Sequence, residues 1–154
     1  MKLAIGADHR GRDAVERVAQ NLEGRGHEVT RHLPGDTGVT GDYPDFAWRV
    51  GHAVACRDAD FGILICGAGV GMCIAANKIT GVRAAPVHDE ITAEISRAHV
   101  DANVLCLSAD LMGLRLMEKI IDLWLETPFA AGRHDRRVRK IEAIQRQEDP
   151  TEIE

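Results

Sequence analysis

The run Cys66-Gly67-Ala68-Gly69-Val70-Gly71 joins a thiol to three alternating glycines. Glycine tolerates positive φ and lets the backbone come close to a ligand. Where a helix follows such a turn, its first N–H groups and positive dipole end face the occupant, which suits a phosphate or a developing enediolate. No Lys-Ser/Thr follows Gly71, so this is not a Walker loop, and G-x-G-x-G only approximates the dinucleotide fingerprint G-x-G-x-x-G. By spacing alone, a plain tight βα turn explains the run equally well. Cys66 tips the reading towards chemistry. A helix N-terminus lowers the pKa of a thiol, so a cysteine directly before the turn suits a nucleophile or a proton-abstracting base.

Other candidates are more ambiguous one by one. His99 suits a general acid or base, and equally a cap at a helix C-terminus, where the dipole favours His⁺. Asp8-His9 suits a polar substrate clamp, or an N-cap for the helix that follows. Arg133 to Lys140 carries five basic side chains besides His134. Arg133 and Arg137 lie four apart on one helical face and could hold a phosphate by paired N–H contacts, or simply line a solvated face. Cys56, Cys73 and Cys106 read as core thiols. No His/Cys cluster has metal-ligand spacing, so neither metal nor cofactor is expected.

The elements that would position these residues alternate between strand and helix. Leu3-Ala4-Ile5, Glu28–Leu33, Phe61–Cys66, Val82–Val87 and Asn103–Leu107 read as strands. Helical spacing marks Ala14–Leu22, Phe46–Ala59, Met72–Ile79, a stretch through Ile91, Ile95 and Ala98 capped by Asp89, Leu111–Leu125, and a polar Asp135–Gln147. Pro34–Asp45, rich in Gly, Pro, Asp and Thr, reads as a loop. Alternation of this kind implies βαβ units: a three-layer α/β/α Rossmann-like sandwich on a five-stranded parallel sheet. In such sheets ligands bind beyond the carboxyl ends of the strands, where Asp8-His9, Cys66–Gly71, His88-Asp89 and Ser108–Asp110 fall.

At 154 residues the chain fits one domain over 1–147, with an acidic tail over 148–154 expected to fray. A hydrophobic fraction of 45% argues against disorder, and a net charge of −5 with few aromatics disfavours nucleic acid. No apolar run is long enough for a membrane span or shaped like a signal peptide, so the expected location is the cytoplasm, with free thiols.

As an ordered set these residues resemble the ribose-5-phosphate isomerase B / galactose-6-phosphate isomerase family over about Met1 to Ile144. The strongest stretch is Ile63 to Lys78, ILICGAGVGMCIAANK. Gly6-x-Asp8-His9, Asp42-Tyr43-Pro44, Ser96-Arg-x-His99, Asn103-Val104-Leu105 and Gly132-Arg-His-x-x-Arg137 support it. The resemblance implies a homodimer, in some members a tetramer, with the active site between subunits. It also implies metal-free aldose–ketose isomerisation of a small sugar phosphate through a cis-enediol. Carried over, Cys66 is the base, His99 assists ring opening, and Asp8 and Tyr43 contact hydroxyls. The N–H groups of Gly67, Ala68, Gly69, Val70 and Gly71 stabilise the enediolate. His9, Arg133 and Arg137 hold the phosphate, the two arginines reaching across the dimer.

Three positions depart from the family pattern and become specificity candidates. Ala68 replaces the usual Thr or Ser, Val100 the usual Asn, and Asp110 the usual Arg. Three pockets fit these changes. One keeps the phosphate through Arg133, Arg137 and Arg136, with Asp110 turned away or paired to one of them. Another takes a tetrose or hexose phosphate. In the third, Asp110 binds hydroxyls of an unphosphorylated sugar. A non-catalytic sugar-binding relative is a further reading, which retention of Cys66 and His99 disfavours. An oxidoreductase using Asp89 or Glu90 for a ribose fails on glycine spacing.

Overall fold

The computed structural model describes residues 1–35 and 41–153. Strand and helix alternate as β1 (Lys2–Ala7), α1 (Arg12–Gly24), β2 (Glu28–His32), α2 (Tyr43–Ala55), β3 (Phe61–Cys66), α3 (Val70–Ala76), β4 (Ala84–Pro86), α4 (Glu90–Ala98), β5 (Val104–Ser108), α5 (Leu114–Glu126) and α6 (Arg133–Gln145). The five strands form one parallel sheet in the order β2-β1-β3-β5-β4. The chain leaves β1 towards β2 on one side and returns to place β3 on the other. The carboxyl ends of β1 and β3 are therefore the topological switch point, where a crevice opens.

Both faces are covered, which is why β3 and β5 read as continuous apolar runs. Val15, Val18 and Leu22 of α1 and Met117, Ile120, Ile121 and Trp124 of α5 pack on Leu3, Ile5, Ile63, Ile65, Leu105 and Leu107. On the other face Phe46, Ala47, Val50 and Val54 of α2 and Met72, Cys73 and Ala76 of α3 pack on Ala4, Leu64, Cys66 and Cys106. Trp124 is sealed from solvent, and its indole N–H donates to Ser96 Oγ at 3.0 Å, satisfying the one polar group it carries inside.

Several boundaries differ from the sequence reading. Strand β4 keeps only three of the six expected residues, because Asn77 bonds the backbone of Ala84 and Asn103 that of Arg83 and Gly81 at its start. Helix α2 begins at Tyr43, inside the expected loop, where Pro44 fits a first helical turn and Asp45 complements the dipole. Residues 36–40 of that loop lie outside the described residues. Asp89 caps α4 as expected, accepting from Thr92 N–H at 2.7 Å. The tail, expected to fray, makes a 3-10 turn at Pro150–Glu152 capped by Asp149. Among the described residues no helix is long and apolar enough to cross a membrane.

Candidate active site

The glycine turn is held from both sides. Gly69 takes φ +76°, a left-handed conformation, and a Cβ there would sit 3.1 Å from the Leu107 carbonyl. Its N–H donates to Cys66 Sγ at 3.2 Å, so a donor is aimed at the sulfur at the end of the central strand. Ser108 Oγ–H and Asp110 N–H both donate to the Gly67 carbonyl, at 2.5 and 3.1 Å, pinning the turn to the end of β5. Gly71 leaves room for the Tyr43 ring, which would lie 2.7 Å from any Cβ. The first-turn N–H groups of α3, including those of Val70 and Gly71, have no preceding carbonyl in the helix.

Asp8 is buried at the end of β1 and turns the chain. Its Oδ1 accepts from Arg10 N–H at 2.9 Å and from Gly11 N–H at 3.3 Å. Asp8 is thus not the N-cap of α1, a position taken by Gly11. His9 stands exposed beside it. Asp8, His9, Tyr43 and residues 66–71 therefore share the carboxyl edge of the sheet with Asp110.

Asp110 is neither turned away nor paired to Arg133, Arg136 or Arg137. Both its oxygens accept from Arg10: Nε donates to Oδ1 and Oδ2 at 3.2 and 3.0 Å, and Nη2 to Oδ1 at 2.8 Å. The sequence reading passed over Arg10, because its partner lies 100 residues away and only the sheet brings β1 and β5 close.

His99 does not join Cys66 within the chain. Strand β4 ends at the carboxyl edge, and α4 then runs back along the sheet, so its C-cap His99 lies at the amino edge, just before β5. The length of β3, about 16 Å at ~3.3 Å per residue, separates the two edges. Helix α4 also packs on the opposite face from Cys66.

At the amino edge His99 stacks flat on His134, with centroids 4.2 Å apart and planes 9° apart. Arg133 Nε donates to His134 Nε2 at 3.4 Å, and Ala130 N–H bonds the Ala98 carbonyl, so the start of α6 is tied to the end of α4. Burial, reinforced by the neighbouring Arg133 and Arg137 guanidinium groups, pushes the His134 pKa down. A second, acidic centre holds this edge. Asp101, at φ +48°, accepts from Arg83 and from the buried Arg97. Val100 packs on the core and lines a 170 Å³ cavity with Arg83, Ala85 and Ile141.

Cys73 and Cys106 are buried as expected, but Cys56 is exposed at the C-cap of α2. The Cys106 thiol hydrogen-bonds Cys73, which draws Cys73 down and, with burial, pushes Cys106 up. Among the described residues no group of three or more His, Cys, Asp and Glu could hold a metal.

Residues 3–141 match the model of the Ribose/Galactose Isomerase family. The chain is 42% identical over 144 residues to ribose-5-phosphate isomerase B of Escherichia coli, covering 94% of this chain and 96% of that one. It is 38% identical over 148 residues to D-erythrulose-4-phosphate isomerase of Pectobacterium atrosepticum, covering 96% and 97%. The structure of Mycoplasma genitalium ribose-5-phosphate isomerase B with bound ribulose-5-phosphate superposes with a TM-score of 0.90 at 41% identity, covering 95% of this chain and 97% of that one.

Proposed function

Since the chain belongs to the Ribose/Galactose Isomerase family, and is thereby an aldose–ketose isomerase of sugar phosphates, we propose that Cys66 is its base and that each active site is built from two chains. The observation that carries the chemistry is Cys66 itself. Its sulfur lies at the switch point beside the glycine turn, with the Gly69 N–H 3.2 Å away. An N–H donor stabilises negative charge on the sulfur. The thiolate takes the proton from C2 of the aldose. The C2–H electrons form the C1=C2 bond of a cis-enediolate while the carbonyl pair moves to O1, where backbone N–H groups of residues 67–71 meet the charge. The thiol returns a proton to C1, and the O2 proton moves to O1, leaving the ketose. Asp8 and Tyr43 orient hydroxyls, and the substrate is a four- to six-carbon sugar phosphate, the range spanned by the relatives' names.

His99, the acid–base group assigned to ring opening, does not reach the Cys66 of its own chain. His99, Arg133 and Arg137 lie together at the far edge of the sheet. A second chain of a homodimer supplies them, and with His9 the two arginines take the phosphate. The resemblance placed only the arginines across the dimer, whereas the direction of α4 puts His99 with them. Apolar side chains beside both half-sites support the pairing: Val70 and Ile74 on α3 are 50% and 58% exposed, and Ile95, one turn before His99 on α4, is 44% exposed.

The test is proton exchange in D₂O by NMR over four- to six-carbon aldoses and ketoses, each with and without phosphate. Deuterium is expected at C1 or C2 of a phosphorylated sugar and is lost in Cys66→Ala. Mixing inactive Cys66→Ala and His99→Asn chains through an unfolding–refolding cycle should restore about a quarter of the sites, because each heterodimer keeps one intact site. Exchange that persists in Cys66→Ala sinks the base assignment, and mixtures that stay inactive sink the shared site.

A further inference from the structure

Arg10 is the one basic side chain other than His9 among residues 8–10, 66–71 and 108–110, which form the carboxyl-edge wall around Cys66. The same wall carries the carboxylates of Asp8 and Asp110 and the Cys66 sulfur. A phosphate dianion approaching this wall meets two fixed negative charges and, apart from the imidazole, one cation.

The guanidinium is held in a defined pose. Asp110 engages one edge of it, through Nε and Nη2. An arginine has five N–H donors in a rigid fork, so the two Nη1 hydrogens and the second Nη2 hydrogen stay outside this pairing. The pair lies directly on Gly67, the residue after Cys66. A Cβ at Gly67 would meet Asp110 Oδ2 at 3.0 Å and Arg10 Cδ and Nε at 3.3 Å. No side chain therefore stands between the guanidinium and the turn. A carboxylate on one edge of a guanidinium, with the other edge open, is an arrangement suited to receiving a second anion in a fixed orientation.

We infer that Arg10 is a phosphate-binding residue contributed by the same chain as Cys66, with Asp110 positioning its guanidinium and moderating its affinity through negative charge. The inference rests on the sugar-phosphate reading above. It assigns the anion to the phosphoryl group and gives Asp110 a role in phosphate recognition, in place of binding hydroxyls of an unphosphorylated sugar.

The two members of the pair should act with opposite sign, which a merely structural ion pair cannot do. The experiment is calorimetric titration of inorganic phosphate and of ribose 5-phosphate, with ribose as control, into the full chain. It is run in the Cys66→Ala background so that binding is read without turnover. Arg10→Gln should weaken phosphate and ribose 5-phosphate about tenfold or more, the loss of a charge-assisted pair, and leave ribose unchanged. Asp110→Asn should tighten both phosphates about threefold or more at low salt, a gain that fades as salt screens the carboxylate. Both variants weakening together, alongside a shared fall in Tm, would make the pair a structural clamp and overturn the inference, as would no change in either. Because the readout is binding, loss of the Cys66 assignment in the exchange assay would leave this result standing on its own.

Discussion

Gly11→Ala and Gly24→Ala make the same chemical change at the two ends of α1 and should move stability in opposite directions. Gly11 lies at φ −93°, ψ −3°, a conformation alanine adopts freely, so only space opposes the methyl group. That space is absent. The new Cβ would lie 2.2 Å from the Ile65 carbonyl oxygen, 2.8 Å from its carbon and 2.9 Å from Ala7 Cβ. The overlap is roughly 1 Å with the backbone of the central strand, which is locked into β1 and β5 and cannot yield. Overpacking of this kind costs about 1–3 kcal/mol, and a backbone neighbour puts it at the upper end. The stiffer unfolded chain returns about 0.4–1 kcal/mol, leaving a net loss of about 2 kcal/mol. At this chain length that is a fall in Tm of about 4–8 °C. At Gly24 nothing lies within 4 Å, so alanine should gain about 0.5–1 kcal/mol from helix propensity. Because the Gly11 loop carries Asp8, His9 and Arg10, a shift of about 1 Å should also cut kcat/KM about 10²-fold, while Gly24→Ala keeps it. The assays are urea and thermal melts followed by Trp fluorescence, with isomerase kinetics beside them. A Gly11→Ala protein that melts with the wild type and turns over normally would refute the packing of the β1–α1 loop against β3.

The remaining predictions concern the core, the amino edge and pH. Ser96→Ala leaves the sealed Trp124 indole N–H without its acceptor and should cost about 1–3 kcal/mol, seen in urea melts together with a change in Trp emission. Asp101→Asn keeps the left-handed backbone, which Asn tolerates, but strips the carboxylate from Arg83 and the buried Arg97. It should destabilise by about 2 kcal/mol, partial exposure of Asp101 discounting the loss, and kcat should fall as the segment carrying His99 loosens. Burial lowers the pKa of His27, His32 and His134, so the unfolded chain takes up protons first as pH falls through about 6.5. Stability is then full above that pH and declines below it until the folded-state values are passed. Urea midpoints at pH 7.5, 6.5 and 5.5 should show the slope, and His27→Gln should reduce it; a flat profile would remove the linkage.

Local pattern was enough for the elements and for the cluster of candidate residues around Cys66. A buried strand reads as an apolar run and a helix as a 3.6-residue period, and both are properties of adjacent residues. That Cys66, Gly67 to Gly71, Asp8 and Tyr43 share one edge was legible because each sits at a strand end, a turn or a helix start, and parallel crossovers send the ends of β1, β3 and β5 to one edge. Pro44, read as loop, was in fact a helix start, since proline serves both roles and only the following packing of Phe46, Ala47 and Val50 decides.

Three features depended on the tertiary structure. Arg10 and Asp110 are 100 residues apart and meet because α1 and α5 pack on the same face and leave both strand ends at the crevice. His99 was recognisable as a residue type, yet its distance from Cys66 follows from the direction of α4, which returns it to the amino edge beside His134 and Arg133. The burial that lowers the His134 pKa exists only once α6 docks against the end of α4. Residue types and local periodicity are written in the chain order, whereas convergence of charges and exclusion of water are properties of surfaces that form only when the layers close.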